Sequence, residues 1–290
     1  MMKANSVENE LRFTTVSAIA SLQRMFGIRV SQGFVNRFLY PKEFRERFPK
    51  DVSIRYDKDF ILQLNTRSWI EWCVYLNGYF EFSTVRLMKN LVNKGDIVID
   101  AGANIGLFTL ILSRLVGQTG KVFALEPCPP VVEKLLFNMH SNKIENVVVI
   151  PEALSNKLGT LDLFWRADDS NEGQATFWKN QASDMSAVVK TRTIDSIVQD
   201  HKISKVKLVK MDIQGAEFLA LQGALETLKE FRPIIVFEND WNGEQSGNSI
   251  EEVFRYLRLF DYTLYSIDTR GNYVTLNEDY PTEIVAISKK

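Results

Sequence analysis

The sequence is short of the residues that most often announce chemistry. Among 290 residues there are two cysteines, Cys73 and Cys128, and two histidines, His140 and His201. Two cysteines make neither a disulfide framework nor a zinc ligand set, and they fit a reducing, cytoplasmic compartment. Two histidines leave little room for a histidine base: His140 ends a predicted helix, and His201 precedes a predicted strand at its amino end. An excess of one charge is missing too. Lys and Arg number 35 against 36 Asp and Glu, a net charge of −1, so no bulk attraction to nucleic acid is expected. The richest basic stretch, Arg37 to Lys58, is diluted by Glu43, Glu46, Asp51 and Asp57 and reads as a solvated face. Long apolar runs are absent: Val16 to Leu22 is too short and too mixed for a membrane span or a signal-peptide core, so no membrane association is expected. No internal repeat of 20–50 residues shows.

What is present is a chain that is 45% hydrophobic, enough for one large α/β domain. It is organised around Asp96 to Gly106, DIVIDAGANIG. Ile97 to Asp100 reads as a buried strand ending in an acid, and Leu107 to Leu115 as an apolar helix. The glycine turn between them predicts a nucleotide site: Gly102 and Gly106 let a ligand approach the backbone, and free N–H groups at the helix start point at it. The third glycine of a G-x-G-x-x-G dinucleotide fingerprint is missing. The turn instead resembles the D-x-G-x-x-x-G turn of class I S-adenosylmethionine (SAM) methyltransferases, with Asn104 at the middle position.

Residues 1–58 are expected to be a helical cap or oligomer contact, with a lid over substrate as the alternative. Val7 to Met25 carries helical periodicity, and Phe34 to Phe48 is aromatic and basic, punctuated by Pro41 and Pro49. Residues 59–290 form the main domain. Its first part is aromatic-rich: Phe60, Trp69, Trp72, Tyr75, Tyr79, Phe80 and Phe82 read mostly as core. Phe60 to Leu64 reads as a strand and Ser83 to Val92 as a helix, with Glu81 just ahead, where a carboxylate can meet a cofactor's ammonium group.

Downstream of the turn, Lys121 to Leu125 is a second strand ending at Glu126-Pro127, one βαβ step on. A carboxylate there can accept both ribose hydroxyls. Pro129-Pro130 open a helix to about His140, and Asn146 to Ile150 is the third strand. The next parallel strand begins only near Val206. The runs Thr160 to Trp165, Ala175 to Trp178 and Ala187 to Arg192 predict an inserted β-meander at about 158–193, then a helix from Ile194 to His201. Lys205 to Asp212 is the fourth strand, followed by a helix to about Phe231 with Glu217 in its first turn, where the acid also suits the helix dipole. Pro233 to Glu238 is the fifth, followed by a helix from Ile250 to Phe260. Tyr262 to Ile267 and Glu283 to Ser288 are the last two strands.

With these segments in order, the chain resembles the FkbM family of SAM-dependent methyltransferases. The matching residues are Asp100 to Gly106, Glu126-Pro127 with Asn138, Glu152 to Ser155, Leu208 to Glu217 (LVKMDIQGAE), Leu221 to Ala224, and Pro233 to Glu238. The resemblance implies a Rossmann-like, seven-stranded, mostly parallel sheet with one antiparallel strand at its end and helices on both faces. It also implies SAM as cofactor and methyl transfer to a hydroxyl oxygen on a sugar, polyketide or other small metabolite.

Expected roles follow by position. Ala101, Gly102 and Asn104, within the turn closed by Gly106, approach the methionine part, with Glu81 and Asp100 near its ammonium. Glu126 beside Pro127 holds the ribose, and Ala153 borders the adenine. Asp212, Glu217 and Glu238 line the acceptor side, with Asp212 or Glu238 as base. A magnesium ion held by Asp212, Glu238 and Asn239, as in catechol O-methyltransferases, is a second route to a more acidic hydroxyl. The alternatives are a NAD-dependent oxidoreductase and a non-catalytic module that keeps the fold. A nucleic-acid methyltransferase is disfavoured, since Asp212-Ile213-Gln214-Gly215 stands where an N/D-P-P-Y/F tetrapeptide is needed. A homo-oligomer is compatible with the sequence.

Overall fold

Alternation and periodicity decide which segments become strands and which become helices. The computed structural model describes residues 48–166, 175–178, 183–239, 250–276 and 281–289, together with Ala18 and Ala20. The chain divides into two compact units, one reaching Phe80 and one comprising Glu81–Ala167 and Glu172–Lys290. The helix expected in Val7 to Met25 and most of Phe34 to Phe48 lie outside the described residues.

In the first unit, β1 (Asp51–Tyr56) and β2 (Phe60–Asn65) pair antiparallel. Asp51 to Tyr56 was expected within a helical region, and the division was expected near residue 58; instead this stretch is a strand and the division follows Phe80. The reason is its period of two: Val52, Ile54 and Tyr56 turn inward while Asp51, Ser53 and Arg55 face out. Helix α1 (Trp69–Asn77) follows and stops at Gly78, whose φ of 81° gives the left-handed cap. Of the aromatic residues read mostly as core, Phe60, Trp72 and Tyr75 are buried, whereas Trp69, Tyr79, Phe80 and Phe82 are half-buried; Phe48 meets Trp72 edge-on at 4.9 Å, and Trp72 stacks on Tyr75 at 5.4 Å.

The second unit contains α2 (Phe82–Leu91), β3 (Ile97–Ala101), α3 (Leu107–Val116), β4 (Lys121–Leu125), α4 (Pro129–Ser141) and β5 (Val147–Ile150). There follow β6 (Ala153–Leu154), β7 (Gly159–Trp165), β8 (Met185–Arg192), α5 (Ile194–Asp200), β9 (Leu208–Met211), α6 (Glu217–Gln222) and α7 (Leu225–Glu230). Last come β10 (Ile234–Glu238), α8 (Ile250–Arg258), β11 (Tyr262–Ile267), β12 (Tyr273–Thr275) and β13 (Glu283–Ser288).

The main sheet runs β12-β11-β13-β10-β9-β3-β4-β5. Strands β10, β9, β3, β4 and β5 are parallel, and β13 is antiparallel to both β10 and β11. The seven expected strands are all there. An eighth, β12, pairs with the edge of β11. It escaped the sequence reading because it is three residues long and wholly exposed. A local turn creates it: Asp268 accepts the N–H groups of Arg270 and Asn272, both at 2.8 Å.

Successive residues of a strand point to opposite faces, and Val98, Ile99, Asp100 and Ala101 are all fully buried, so both faces of the sheet are covered. On one face, Ile99, Phe123, Val209, Met211 and Phe237 pack against residues of α5, α6, α7 and α8. The other face carries Asp100 and Lys210 and lies under α3.

The insertion forms a three-stranded sheet, β6-β8-β7. Of the expected middle run, Thr176 alone is bridged, to Phe164. The helix expected to run unbroken to Phe231 is divided at Gly223-Ala224 between α6 and α7. Here the chain lies against the segment after β6: a Cβ on Gly223 would stand 2.3 Å from the Ser155 carbonyl oxygen.

Candidate active site

The glycine turn leaves β3 and enters α3 through three left-handed residues, Gly102 (φ 74°), Asn104 (φ 50°) and Gly106 (φ 97°). Gly102 is fixed by a close approach, since a Cβ there would lie 1.8 Å from the Asp212 carbonyl oxygen. Within the turn itself, ahead of the helix start, the N–H groups already have acceptors. Gly102 and Ala103 both donate to the Leu125 carbonyl, at 3.0 and 2.9 Å. Asn104 N–H donates to Glu126 Oε2 at 3.0 Å, Ile105 N–H to Asn104 Oδ1 at 2.7 Å, and Gly106 N–H to the Ala103 carbonyl at 2.9 Å. The turn must clamp β3 to β4, and its donors are used in doing so. Asn138, quoted in the family motif, is buried on α4 and ties the turn down by donating to the Ile105 carbonyl at 2.9 Å.

Glu126 closes the end of β4. One oxygen takes the Asn104 N–H and the other takes the Cys128 N–H at 2.9 Å. Burial pushes its pKa up to about 7, against the pull of these two N–H groups. Each oxygen keeps a lone pair free. Pro127 is half-buried beside it. Ala153 is buried in β6 and pairs with Thr191 of β8. Glu152 takes a 2.6 Å hydrogen bond from Arg192 Nε, which anchors the small sheet.

The centre of the site is a set of carboxyl groups around one lysine. Lys210 projects from β9 on the same face as Asp212 and lies in register beside Asp100 of β3. Its side chain is buried, its Nζ stands 3.3 Å from Asp212 Oδ2, and it sits 4.6 Å from the Phe108 ring centroid of α3. Burial opposes its charge, but Asp212, Asp100 and Glu81 together raise its pKa, so it stays an ammonium. Sequence reading quoted this lysine in the family motif and gave it no role. Asp100 is fully buried: Thr109 donates to its Oδ2 at 2.6 Å, and its Oδ1 has no hydrogen-bond partner. Burial raises the Asp100 pKa, and Lys210 and Thr109 oppose that rise.

Asp212 stands at the end of β9. Burial works against its charge, but Lys210 and hydrogen bonds from Glu238 and Gln214 outweigh it and hold the carboxyl below its ordinary range. Glu238, at the end of β10, is pushed well up by burial and by Asp212. Gln214 (φ 53°) spans the pair, with Nε2 3.2 Å from Asp212 Oδ1 and 3.5 Å from Glu238 Oε2. A second pair flanks the first. Glu81, the left-handed residue (φ 44°) before α2, is pushed well up in pKa by burial and then by the charge of Glu283. Glu283 opens β13 directly across from Glu238. The sequence reading missed Glu283 because the antiparallel strand carries it back to the carboxyl edge of the sheet.

Glu217 faces the loop. It is buried, and its Oε1 accepts the Ile213 N–H at 3.0 Å; burial raises its pKa to about 7. This is the capping role that its place in the first helical turn allowed, and it shapes the loop after Asp212. His140 and His201 are exposed, and His201 rests on Phe123. Cys73 and Cys128 are free and buried. Asn239 donates to the Pro281 carbonyl at 3.1 Å. Among the described residues, no group of three or more His, Cys, Asp or Glu side chains is arranged to hold a metal ion, and no helix is long and apolar enough to cross a membrane.

The hexuronic acid methyltransferase AglP of Haloferax volcanii is 26% identical over 157 residues, 54% of this chain and 61% of AglP. The 2-O-methyltransferase NoeI of Sinorhizobium fredii is 26% identical over 172 residues, 53% of this chain and 68% of NoeI. The chain thus spans less than two thirds of AglP. A solved FkbM methyltransferase from Methylobacillus flagellatus superimposes with a TM-score of 0.48 at 18% identity, covering 72% of this chain and 48% of that one. The profile of the methyltransferase FkbM domain matches residues 100–264, more than half of the sequence and most of the site just described, and the chain belongs to that family.

Proposed function

We propose that this protein transfers a methyl group from SAM to a hydroxyl oxygen of a small hydroxylated metabolite, with sugars the favoured class. The observation that carries the reading is the set of carboxyl groups gathered around a single lysine at the carboxyl edge of the parallel strands, where open α/β sheets bind ligands. Acids in excess suit a ligand that brings both an ammonium and a sulfonium. The named activities of AglP and NoeI, one on a hexuronic acid and one a 2-O-methyl transfer, support a sugar hydroxyl as acceptor.

When bound, SAM supplies a methyl carbon already activated by positive sulfur. The protein's work is then to orient two molecules and receive one proton. Glu126, both of whose oxygens keep acceptor capacity, takes the ribose hydroxyls. The turn at Ala101 to Asn104 lies against the methionine portion, with Glu81 facing its ammonium. Asp212 is the proton acceptor: it is the member of its pair held ionised, by the Lys210 ammonium 3.3 Å away. Glu238 keeps its proton at neutral pH and donates to Asp212, so it orients the base and does not act as one. Asp212 would take the proton of the acceptor hydroxyl as that oxygen is methylated. Glu217 shapes the loop that carries this base.

Calorimetric titration with SAM tests the reading. Glu126→Ala removes two charge-assisted acceptors and should weaken binding by about a hundredfold or more. Glu126→Gln keeps one acceptor oxygen and should lose roughly tenfold. Unchanged affinity in Glu126→Ala, or binding of NAD in place of SAM, would remove the assignment. The acids do not need a metal here, because Asp212 is already neutralised by Lys210 and bonded to Glu238. Full activity should therefore survive exhaustive chelation and gain nothing from added Mg²⁺. Loss of turnover in chelator, restored by Mg²⁺, would replace the base mechanism by a metal-assisted one.

A further inference from the structure

We infer that the turn between β11 and β12 is a positioning element for the cofactor: seated on α2 through Gly271, it fixes where Glu81 stands and so sets how tightly the cofactor's ammonium end is held. The inference rests on the SAM reading above and adds to it Arg86, Asn90 and Gly271, to which no role has been given so far.

Strand β12 is wholly exposed and adds nothing to the core, yet the turn that leads to it, Asp268 to Asn272, is tightly specified. Asp268 N–H donates to the Asn272 carbonyl at 2.9 Å and Gly271 N–H to the Asp268 carbonyl at 3.0 Å, besides the two N–H groups that the Asp268 side chain accepts. Gly271 is left-handed (φ 77°) and buried. A Cβ on it would stand 2.4 Å from Arg86 Cβ and 2.5 Å from both the Arg86 carbonyl carbon and the Leu87 nitrogen. The turn therefore lies directly on the backbone of α2, where only glycine fits. Two side chains of the helix hold it there: Arg86 Nη1 donates to the Thr269 carbonyl and Asn90 Nδ2 to the Gly271 carbonyl, each at 3.0 Å.

The grip reaches Glu81 through the helix. Phe82, Arg86 and Asn90 are spaced by four and share one face of α2. The Arg86 guanidinium lies 4.4 Å from the Phe82 ring centroid, so the side chain that holds Thr269 also covers the residue next to Glu81. The Glu81 carbonyl accepts the Val85 N–H at 3.1 Å, which makes Glu81 part of the first helical turn. Its φ of 44° is unfavourable for a residue with a side chain and persists only where the surroundings over-determine it. Val85 and Met88, on the inner side of the helix, are fully buried, so α2 is held between the core and the turn. Without the turn the helix is free to slide on its apolar face. A shift of about 1 Å at Glu81 is enough to spoil a directional contact with a ligand ammonium.

The test uses the whole protein and two stable probes, each titrated calorimetrically. S-adenosylhomocysteine carries the ammonium group, and methylthioadenosine keeps the nucleoside but lacks it. Gly271→Ala should weaken S-adenosylhomocysteine by roughly tenfold, the size of a lost hydrogen bond to a charged group, and leave methylthioadenosine within about twofold. Glu81→Ala loses the same contact directly, so adding Gly271→Ala to it should cost S-adenosylhomocysteine nothing further. Should Gly271→Ala fail to fold, Arg86→Ala combined with Asn90→Ala releases the turn without an overlap and is read in the same way. Equal losses for the two probes overturn the inference and leave the cofactor reading standing. So does unchanged S-adenosylhomocysteine affinity in a folded variant, or a loss that adds to that of Glu81→Ala. Wild-type affinity in Glu81→Ala itself overturns the inference together with the placement of Glu81. Failure of the wild type to bind either probe overturns both readings.

Discussion

Lys210→Met should cost about 3 kcal/mol or more of stability, read as a drop in the urea midpoint, and should abolish methyl transfer. The side chain is buried and holds Asp212 by a 3.3 Å contact, so its removal leaves a carboxylate facing other carboxyl groups with no counter-charge. Methionine nearly matches its length and keeps the contact with Phe108, so lost packing is small. The sharper result is in the double variant. Lys210→Met with Asp212→Asn removes both charges and should recover a large part of the stability while remaining inactive, since an uncompensated charge is what the single variant suffers from. If the double variant is as unstable as the single one, the lysine acts by packing and its electrostatic role is wrong.

Gly102→Ala should be more damaging still, at about 4 kcal/mol or more, with SAM binding lost. Two effects add. The φ of 74° disfavours any side chain, and the new Cβ would overlap the Asp212 carbonyl oxygen at 1.8 Å, a backbone atom that cannot swing aside. Gly95→Ala separates them. Gly95 has a similar φ of 88°, but its added Cβ would meet nothing nearer than Thr119 Oγ1 at 3.6 Å. That control should cost only about 1 kcal/mol, the conformational part alone. Equal losses at the two positions would mean that the contact with Asp212 is not what fixes the glycine.

The strands of the parallel sheet were legible because their residues are buried on both faces, and such strands read as continuous apolar runs. Residues 51–56 were misassigned because the region was judged by its helical neighbours and not by its own alternation. The acids at the strand ends were legible for the same reason as the strands, since an acid closing an apolar run marks the sheet's carboxyl edge. Lys210 was harder. In KVKLVKMD, Lys205 is exposed and Lys207 half-buried, and a third lysine reads as one more of the same. The available signal was its place two residues before Asp212 in a central strand, where both faces are covered and any charge must find a partner. Glu283 lies far from Glu238 in sequence, and the pairing of β13 with β10 brings it to the carboxyl edge. The internal satisfaction of the turn's N–H groups also depends on a tertiary neighbour, since Leu125 and Glu126 of the adjoining strand supply two of the acceptors.

The contact between Gly102 and Asp212 has a mechanical meaning. The loop after β3 and the loop after β9 touch backbone to backbone, with no side chain between them to act as a cushion. Such a joint has no hinge. The two loops shift together or not at all, so the spacing between them is set when the chain folds.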